Sequence, residues 1–262
     1  MGKYLRLVDF ASSKEKEDAF IRAKSDKADY VYDVEESTLS VLPNSILGYW
    51  LSEKIFAAFE KCEELQNYSS VKKGMTTSDN NRFLRLWWEV CYQKIGFTGY
   101  ADDYKWYRTH KGGYYRKWYG NNENLVNWEN EGQEIRNFPN AVVRNSDYYF
   151  KECVTWTDIS MNKTSFRFVE QGSISNASGP SIYGDTKKLL YVLGLLNSKV
   201  AEVFYSLLCP TIHFEVGQVG LFPIIEDDVE QVTALVKENV VLCKEDLNCD
   251  ETSWGFKRNP LI

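Results

Sequence analysis

The stretch Tyr104-Lys105-Trp106-Tyr107-Arg108-Thr109-His110-Lys111-Gly112-Gly113-Tyr114-Tyr115-Arg116-Lys117-Trp118-Tyr119 decides how the chain is read, because it carries a sheet signature and a charge signature at once. Aromatic residues on both sides of Lys111-Gly112-Gly113 predict a β-hairpin that turns at the glycines. Side chains alternate between the faces of a strand, so one set of rings packs inward while the cations stay in water. The stretch holds seven aromatics, five Lys or Arg and no acid.

Working outward, the helical period is mostly lost from Val71 to Phe168, apart from residues 80–90. Short β-prone runs alternate there with Gly and Asn, at 105–108, 114–119, 124–128, 148–157 and 165–169. On the amino-terminal side, Leu47, Leu51, Ile55, Phe59, Cys62 and Leu65 recur at three- and four-residue spacing and predict one helix after Pro43-Asn44. Before it, residues 12–29 read as a solvated helix or loop, and Tyr30-Val31-Tyr32 and Leu39-Ser40-Val41 as β-prone. On the carboxyl side, Asp185 and Asn197-Ser198 are placed to cap two successive helices, over 187–196 and from Val200 onward. His213 to Ile225 alternates like a last strand, and Asp227-Asp228 opens a helix carrying Val229, Val232, Val236, Val240 and Cys243. Helices at both ends of a β-rich middle give an α+β class, with a mixed, twisted sheet core.

The 262 residues carry a net charge of −6, which taken whole argues against a nucleic-acid partner. Cut at residues 70 and 170, the chain has 9 basic against 13 acidic residues, then 15 against 12, then 7 against 12. The positive middle also holds 21 of the 39 aromatics, so the local field favours a polyanion where the total does not. Cys62, Cys91, Cys153, Cys209, Cys243 and Cys249 form no C-x-x-C pair and predict reduced thiols in a cytoplasmic protein. The longest apolar run, Leu189 to Leu208, is broken by Asn197, Ser198, Lys199 and Glu202, so no membrane partner is expected.

Several chemistries are missing. There is no glycine-rich cofactor turn after a strand, no Asn-Pro-Pro-aromatic element, no Walker signature and no G-x-S-x-G. Asn259-Pro260-Leu261 lacks the second proline and the aromatic. The carboxylate pairs Asp102-Asp103 and Asp227-Asp228 read as loop solvation and helix capping, and His110 and His213 as surface or strand-face residues. The chain is therefore not expected to be an enzyme by itself, nor to hold a cofactor or metal.

What is present suits phosphate and base contacts. Basic residues, hydroxyls and amides in Lys72, Lys73, Thr76, Thr77 and Asn80 lead into an expected amphipathic helix with Arg82, Arg85, Trp87 and Trp88. Lys72, Lys73, Arg82, Arg85, Lys105, Lys111 and Lys117 are the phosphate candidates. Arg108, Arg116, Asn121, Arg144, Asn162 and Arg167 are the base-edge candidates, since Arg suits guanine and Asn suits adenine in the major groove. Trp118, Trp128 and Trp156 are expected in the core. The alternative is a protein- or carbohydrate-binding module with an exposed aromatic patch, which accounts for the rings but not for the cations.

The block Lys73-Gly74-Met75-Thr76-Thr77-Ser78-Asp79-Asn80-Asn81-Arg82-Phe83-Leu84-Arg85-Leu86-Trp87-Trp88-Glu89-Val90 resembles one found in adenine-specific DNA methyltransferases of the BREX phage-defence class, the PglX-like enzymes. Further blocks follow in the same order: Lys111-Gly112-Gly113 with Arg116-Lys117-Trp118-Tyr119-Gly120, Asn127-Trp128-Glu129-Asn130, Tyr148-Tyr149-Phe150-Lys151-Glu152, Leu195-Leu196-Asn197-Ser198-Lys199 and Phe214-Glu215-Val216-Gly217. Glu251-Thr252-Ser253-Trp254-Gly255-Phe256 closes the series, departing from the family at Gly255. The resemblance, which extends to the recognition domains of type I specificity subunits and type IIG enzymes, implies an excised target-recognition domain. Residues 1–42 match weakly, 43–225 would be the recognition domain, and 226–262 a helical extension, with Met1-Gly2 a start and Ile262 a cut point. It implies double-stranded DNA and the methyltransferase domain of the same longer chain as partners. S-adenosylmethionine is then the cofactor of the longer enzyme, which methylates adenine N6.

Overall fold

The computed structural model describes residues 1–25, 28–101, 103–161 and 163–258. The expectations for Asp102, Asn162 and Asn259-Pro260-Leu261 lie outside the described residues. The chain divides into two compact units, Met1–Glu64 and Leu65–Ile262.

In the first unit, β1 (Gly2–Leu5) pairs antiparallel with β2 (Val31–Val34) on either side of α1 (Ser13–Ser25). α2 (Glu36–Leu39) ends on Leu39, the first of the three residues read as β-prone, and Ser40 N–H closes its helical turn on the Glu36 carbonyl at 3.0 Å. The helix expected to run on to Leu65 is shorter, α3 (Glu53–Lys61). Asn44 and Ser45 adopt left-handed φ values of 54° and 56°, and Ser52 and Cys62 are extended, so the apolar period outlasts the helix at both ends.

The second unit begins with α4 (Leu65–Tyr68) and β3 (Ser70–Lys72), followed by α5 (Asn80–Phe83), β4 (Leu84–Leu86) and β5 (Ile95–Gly96). Then come β6 (Trp106–His110), β7 (Asn124–Asn127), α6 (Glu129–Arg136) and β8 (Cys153–Thr155). The chain continues with β9 (Arg167–Val169), β10 (Ser173–Ser175), β11 (Ser181–Tyr183), α7 (Thr186–Leu196), α8 (Lys199–Leu208), α9 (Val216–Gly220) and α10 (Val229–Leu247). One mixed sheet runs β10-β6-β7-β4, with β10 and β5 parallel to β6 and the other pairs antiparallel. The other, β3-β11-β8-β9, is antiparallel throughout. The fold is α+β with twisted sheets.

Met75, Phe83, Leu84, Tyr107, Val126, Trp128, Ile135, Tyr149 and Ile174 form a core beneath the mixed sheet. The second sheet is covered by α7, which buries Leu189, Leu190, Val192, Leu193 and Leu196, and α10 packs on α7. A Cβ at Gly194 would stand 2.8 Å from both Val232 Cγ1 and Val236 Cγ2, so the bare glycine sets how closely those helices approach. The caps of α7, α8 and α10 form as expected. The Asp185, Ser198 and Asp228 side chains accept from the N–H groups of Lys188, Ala201 and Gln231.

Three expectations fail in this unit. The helix over 80–90 stops after one turn, since Leu84, Arg85 and Leu86 pair with Val126, Leu125 and Asn124 in the sheet. Trp87 and Trp88 then sit in a 3-10 turn. The last strand over 213–225 is replaced by α9, whose start is closed by Glu215 and Gln218. No tight hairpin forms at Gly112-Gly113 either, because β6 pairs with β7 and leaves 111–123 as one long connection. No helix among the described residues is long and apolar enough to cross a membrane.

Candidate nucleic-acid interface

The connection 111–123 is held at successive positions, by residues beside the second sheet and by one of its own. Thr157 Oγ1 donates to the Gly113 carbonyl at 3.2 Å, Asn121 Nδ2 to the Tyr114 carbonyl at 2.8 Å, and Arg116 N–H to Ser165 Oγ at 3.2 Å. Farther along, Trp118 exchanges backbone bonds with Phe166 and Phe168, at 2.9 and 2.8 Å. Gly112 takes φ 87°, and a Cβ there would lie 2.8 Å from the Ser178 carbonyl, so the turn requires glycine. What this scaffold leaves in solvent is Tyr114, 89% exposed, together with Tyr115 and Arg116.

Arg167 supports the same segment from within. Only 1% exposed, its guanidinium donates to the Ser165 carbonyl and Oγ, each at 3.3 Å, to Thr157 Oγ1 at 3.3 Å and to the Arg116 carbonyl at 3.5 Å. Burial lowers its pKa to about 10, with Glu123 opposing, and the group stays charged at neutral pH. Its reading as a base-edge contact is corrected, since the guanidinium is buried, with Nη1 and Nη2 bonded inside the protein and Nε buried without a partner. Arg108, also buried, donates to the Gln171 carbonyl and lies 5.0 Å from the Trp254 ring. Asn121, 7% exposed, spends its amide on Tyr114. These three base-edge candidates are scaffold in this structure.

The segment 72–85 lies beside the connection. Lys73 pairs with Asp158 at 3.7 Å, next to the Thr157 that holds Gly113. Asn80, Arg85, Lys111 and Asn124 line one open cleft of about 360 Å³. Thr77 Oγ1 donates to Asn80 Oδ1 at 2.7 Å, and Thr76 bonds both ways with the Val142 backbone at 2.9 and 2.8 Å. Asp79 caps the short α5 through Arg82 N–H. Arg85 bonds back to the Asn81 and Leu84 carbonyls. Lys72 lies 5.5 Å from the Tyr148 ring.

Two of the remaining candidates turn toward α6 instead. Arg82 pairs with Glu134 at 2.7 Å and Lys105 with Glu129 at 3.1 Å. Lys117 donates to the Asn197 carbonyl at 2.7 Å. Among the described residues, Lys111, Arg116 and Arg144 form no ion pair and no side-chain hydrogen bond, which leaves their donors available. The Arg116 charge also helps hold the Asp250 carboxyl below its ordinary range, behind the hydrogen bonds from Thr252. Trp128 and Trp156 are buried as expected, and Trp118 is half-buried.

His110 is not a surface residue. It is 3% exposed on β6, with Nδ1 2.9 Å from Ser173 Oγ and Nε2 2.7 Å from Ser181 Oγ. Burial first, and then the charges of Arg167 and Arg108, push its pKa down to about 3, so it is neutral. Cys153, 3.8 Å from it, is pushed up to about 12 by burial and is an inert thiol. Among the described residues no three His, Cys, Asp or Glu side chains converge as a metal site. Thr157, Ser165 and Asn197 hold the 111–123 connection, though none of them is among the expected contact residues. Asn197 lies within the Leu195–Lys199 block, and Thr157 and Ser165 lie in the β-prone runs 148–157 and 165–169, with Ser165 opening the similar block Ser165-Phe166-Arg167-Phe168.

No protein-family model matches the chain. It is 36% identical over 276 aligned positions to "Adenine-specific methyltransferase PglX" of Lacticaseibacillus casei (strain Zhang), an alignment covering 100% of this chain and 23% of that protein. It is 33% identical over 263 positions to "Adenine-specific methyltransferase BrxX" of Escherichia coli O9:H4 (strain HS), covering 99% and 21%. The chain thus spans about a fifth to a quarter of the length of the curated relatives it matches.

Proposed function

The chain is homologous over its whole length to one region of the BREX-type adenine-specific methyltransferases, and we propose that this region grips duplex DNA and reads the site on which a catalytic region of the same longer polypeptide acts. A methyltransferase takes its adenine out of the stack, so a separate surface has to hold the duplex in register. One observation carries the reading. The connection 111–123 displays Lys111, Tyr114, Tyr115 and Arg116 on a rigid base, with no Asp or Glu between residues 104 and 122. Around it lie Lys73, Asn80 and Arg85, with Lys73 half-exposed and 3.7 Å from a largely buried Asp158.

S-adenosylmethionine and the methyl transfer belong, in this reading, to the remainder of the polypeptide. In the second unit, β11 runs into α7 through Gly184 and Asp185, and the Asp185 carboxylate caps that helix start by accepting from the Lys188 N–H. An anionic cofactor group would meet the Asp185 carboxylate there, so this helix start does not suit it. Exposed Tyr114 and Tyr115 also suit a carbohydrate- or protein-binding module, which would bind without a salt dependence set by cations. Titrating the chain with random-sequence duplex DNA from low to moderate salt separates the two. A steep loss of affinity with salt is expected, and binding that ignores salt would overturn the DNA reading.

A further inference from the structure

We propose that Tyr114 is a wedge that enters the base stack of the bound duplex, and that Asn121 is the positioning residue that aims it. The inference rests on the DNA-reading role above and gives that surface a mechanical part. Folding leaves the Tyr114 ring 89% exposed although the segment around it is fixed. A flexible loop tip would let such a ring collapse onto neighbouring apolar surface. Here the Gly113 carbonyl is held by Thr157, the Tyr114 carbonyl by Asn121 and the Arg116 N–H by Ser165. The backbone on both sides of the ring is therefore set before DNA arrives, which limits the entropy lost on binding.

Asn121 achieves this at close quarters. It is itself buried with a left-handed φ of 55°, and a Cβ on Gly113 would fall 2.8 Å from its amide carbon. Glycine at 113 is what allows the amide to reach the neighbouring carbonyl. Lys111 and Arg116 flank the ring in sequence and form no ion pair among the described residues, which suits them to the phosphates on either side of an opened step. An inserted side chain unstacks the duplex locally, and the steps that yield most readily are pyrimidine–purine ones. The ligand feature assigned to Tyr114 is thus a deformable step, TA or CA/TG, rather than a base edge.

The test starts from duplexes that the wild-type chain enriches out of a random library. They are resynthesised with 2-aminopurine at successive adenines, and fluorescence and affinity are read for wild type, Tyr114→Ala, Tyr114→Phe and Asn121→Ala. Wild type and Tyr114→Phe should brighten the probe at one step. Tyr114→Ala should bind about 5- to 100-fold more weakly and leave the probe dark, the range expected for one lost base–ring stack. Because Tyr114 is almost wholly in solvent, that variant keeps the fold. Asn121→Ala should lose most of the brightening while its affinity falls less than that of Tyr114→Ala. Equal affinity and equal brightening with Tyr114→Ala would overturn the wedge, as would a bound duplex that brightens nowhere with wild type. A library that enriches nothing would overturn the DNA-reading role, and the wedge with it.

Discussion

Asn197 pairs with Phe166 as a β-strand residue would, its Oδ1 accepting from the Phe166 N–H at 3.0 Å and its Nδ2 donating to the Phe166 carbonyl at 2.9 Å. Asn197 also ends α7 and accepts Lys117 on its own carbonyl. One buried amide therefore ties the break between two helices to the edge of the second sheet and to the 111–123 connection.

Replacing Asn197 with Ala should leave the Phe166 N–H without a partner in a buried setting, while the Phe166 carbonyl keeps the Trp118 N–H. For one stranded buried group, a loss of about 1–3 kcal/mol is expected in urea denaturation. Asn197→Asp keeps the acceptor and should retain part of that stability.

Gly194 should tolerate no side chain. Gly194→Ala gains up to about 1 kcal/mol of helix propensity, but its methyl meets Val232 and Val236 at 2.8 Å. Overpacking of about 1–3 kcal/mol makes the net effect destabilising, and Gly194→Leu more so, which thermal unfolding checks.

His110 gives stability a pH dependence of known sign. Its pKa falls from 6.5 when unfolded to about 3 in the fold. Between those values the unfolded chain binds the extra proton, so this contribution is complete above pH 6.5 and is lost as pH falls toward 3. On going from pH 7.5 to pH 5, wild type should lose on the order of 2 kcal/mol more than His110→Gln, whatever the baseline cost of that substitution. Equal losses in paired denaturation curves would contradict a neutral, buried imidazole.

Lys111 and Arg116 should each contribute to DNA affinity through phosphate. The double variant Lys111→Ala/Arg116→Ala should reduce the slope of log affinity against log salt by about 2, close to 0.9 for each contact. Arg82→Ala, on a side chain already paired with Glu134, should change the slope much less. A slope unaltered by the double variant would remove the connection from the interface.

The α+β class, the helices α7, α8 and α10, and the relationship to adenine-specific methyltransferases were all legible in the sequence. A helix start is settled within a few residues: Asp185, Ser198 and Asp228 each reach an N–H three positions on. The strand-or-helix choice at residues 84–86 was not legible, because it was made by β7, some forty residues away. The fates of the basic residues were hidden for the same reason. Composition marked 104–119 as cationic and aromatic, but only the tertiary structure turned Arg167 inward beneath the connection and left Arg116 in solvent. Short-range propensity fixes where helices begin. Burial and pairing depend on partners distant along the chain, and they decided which of these charges can meet a ligand.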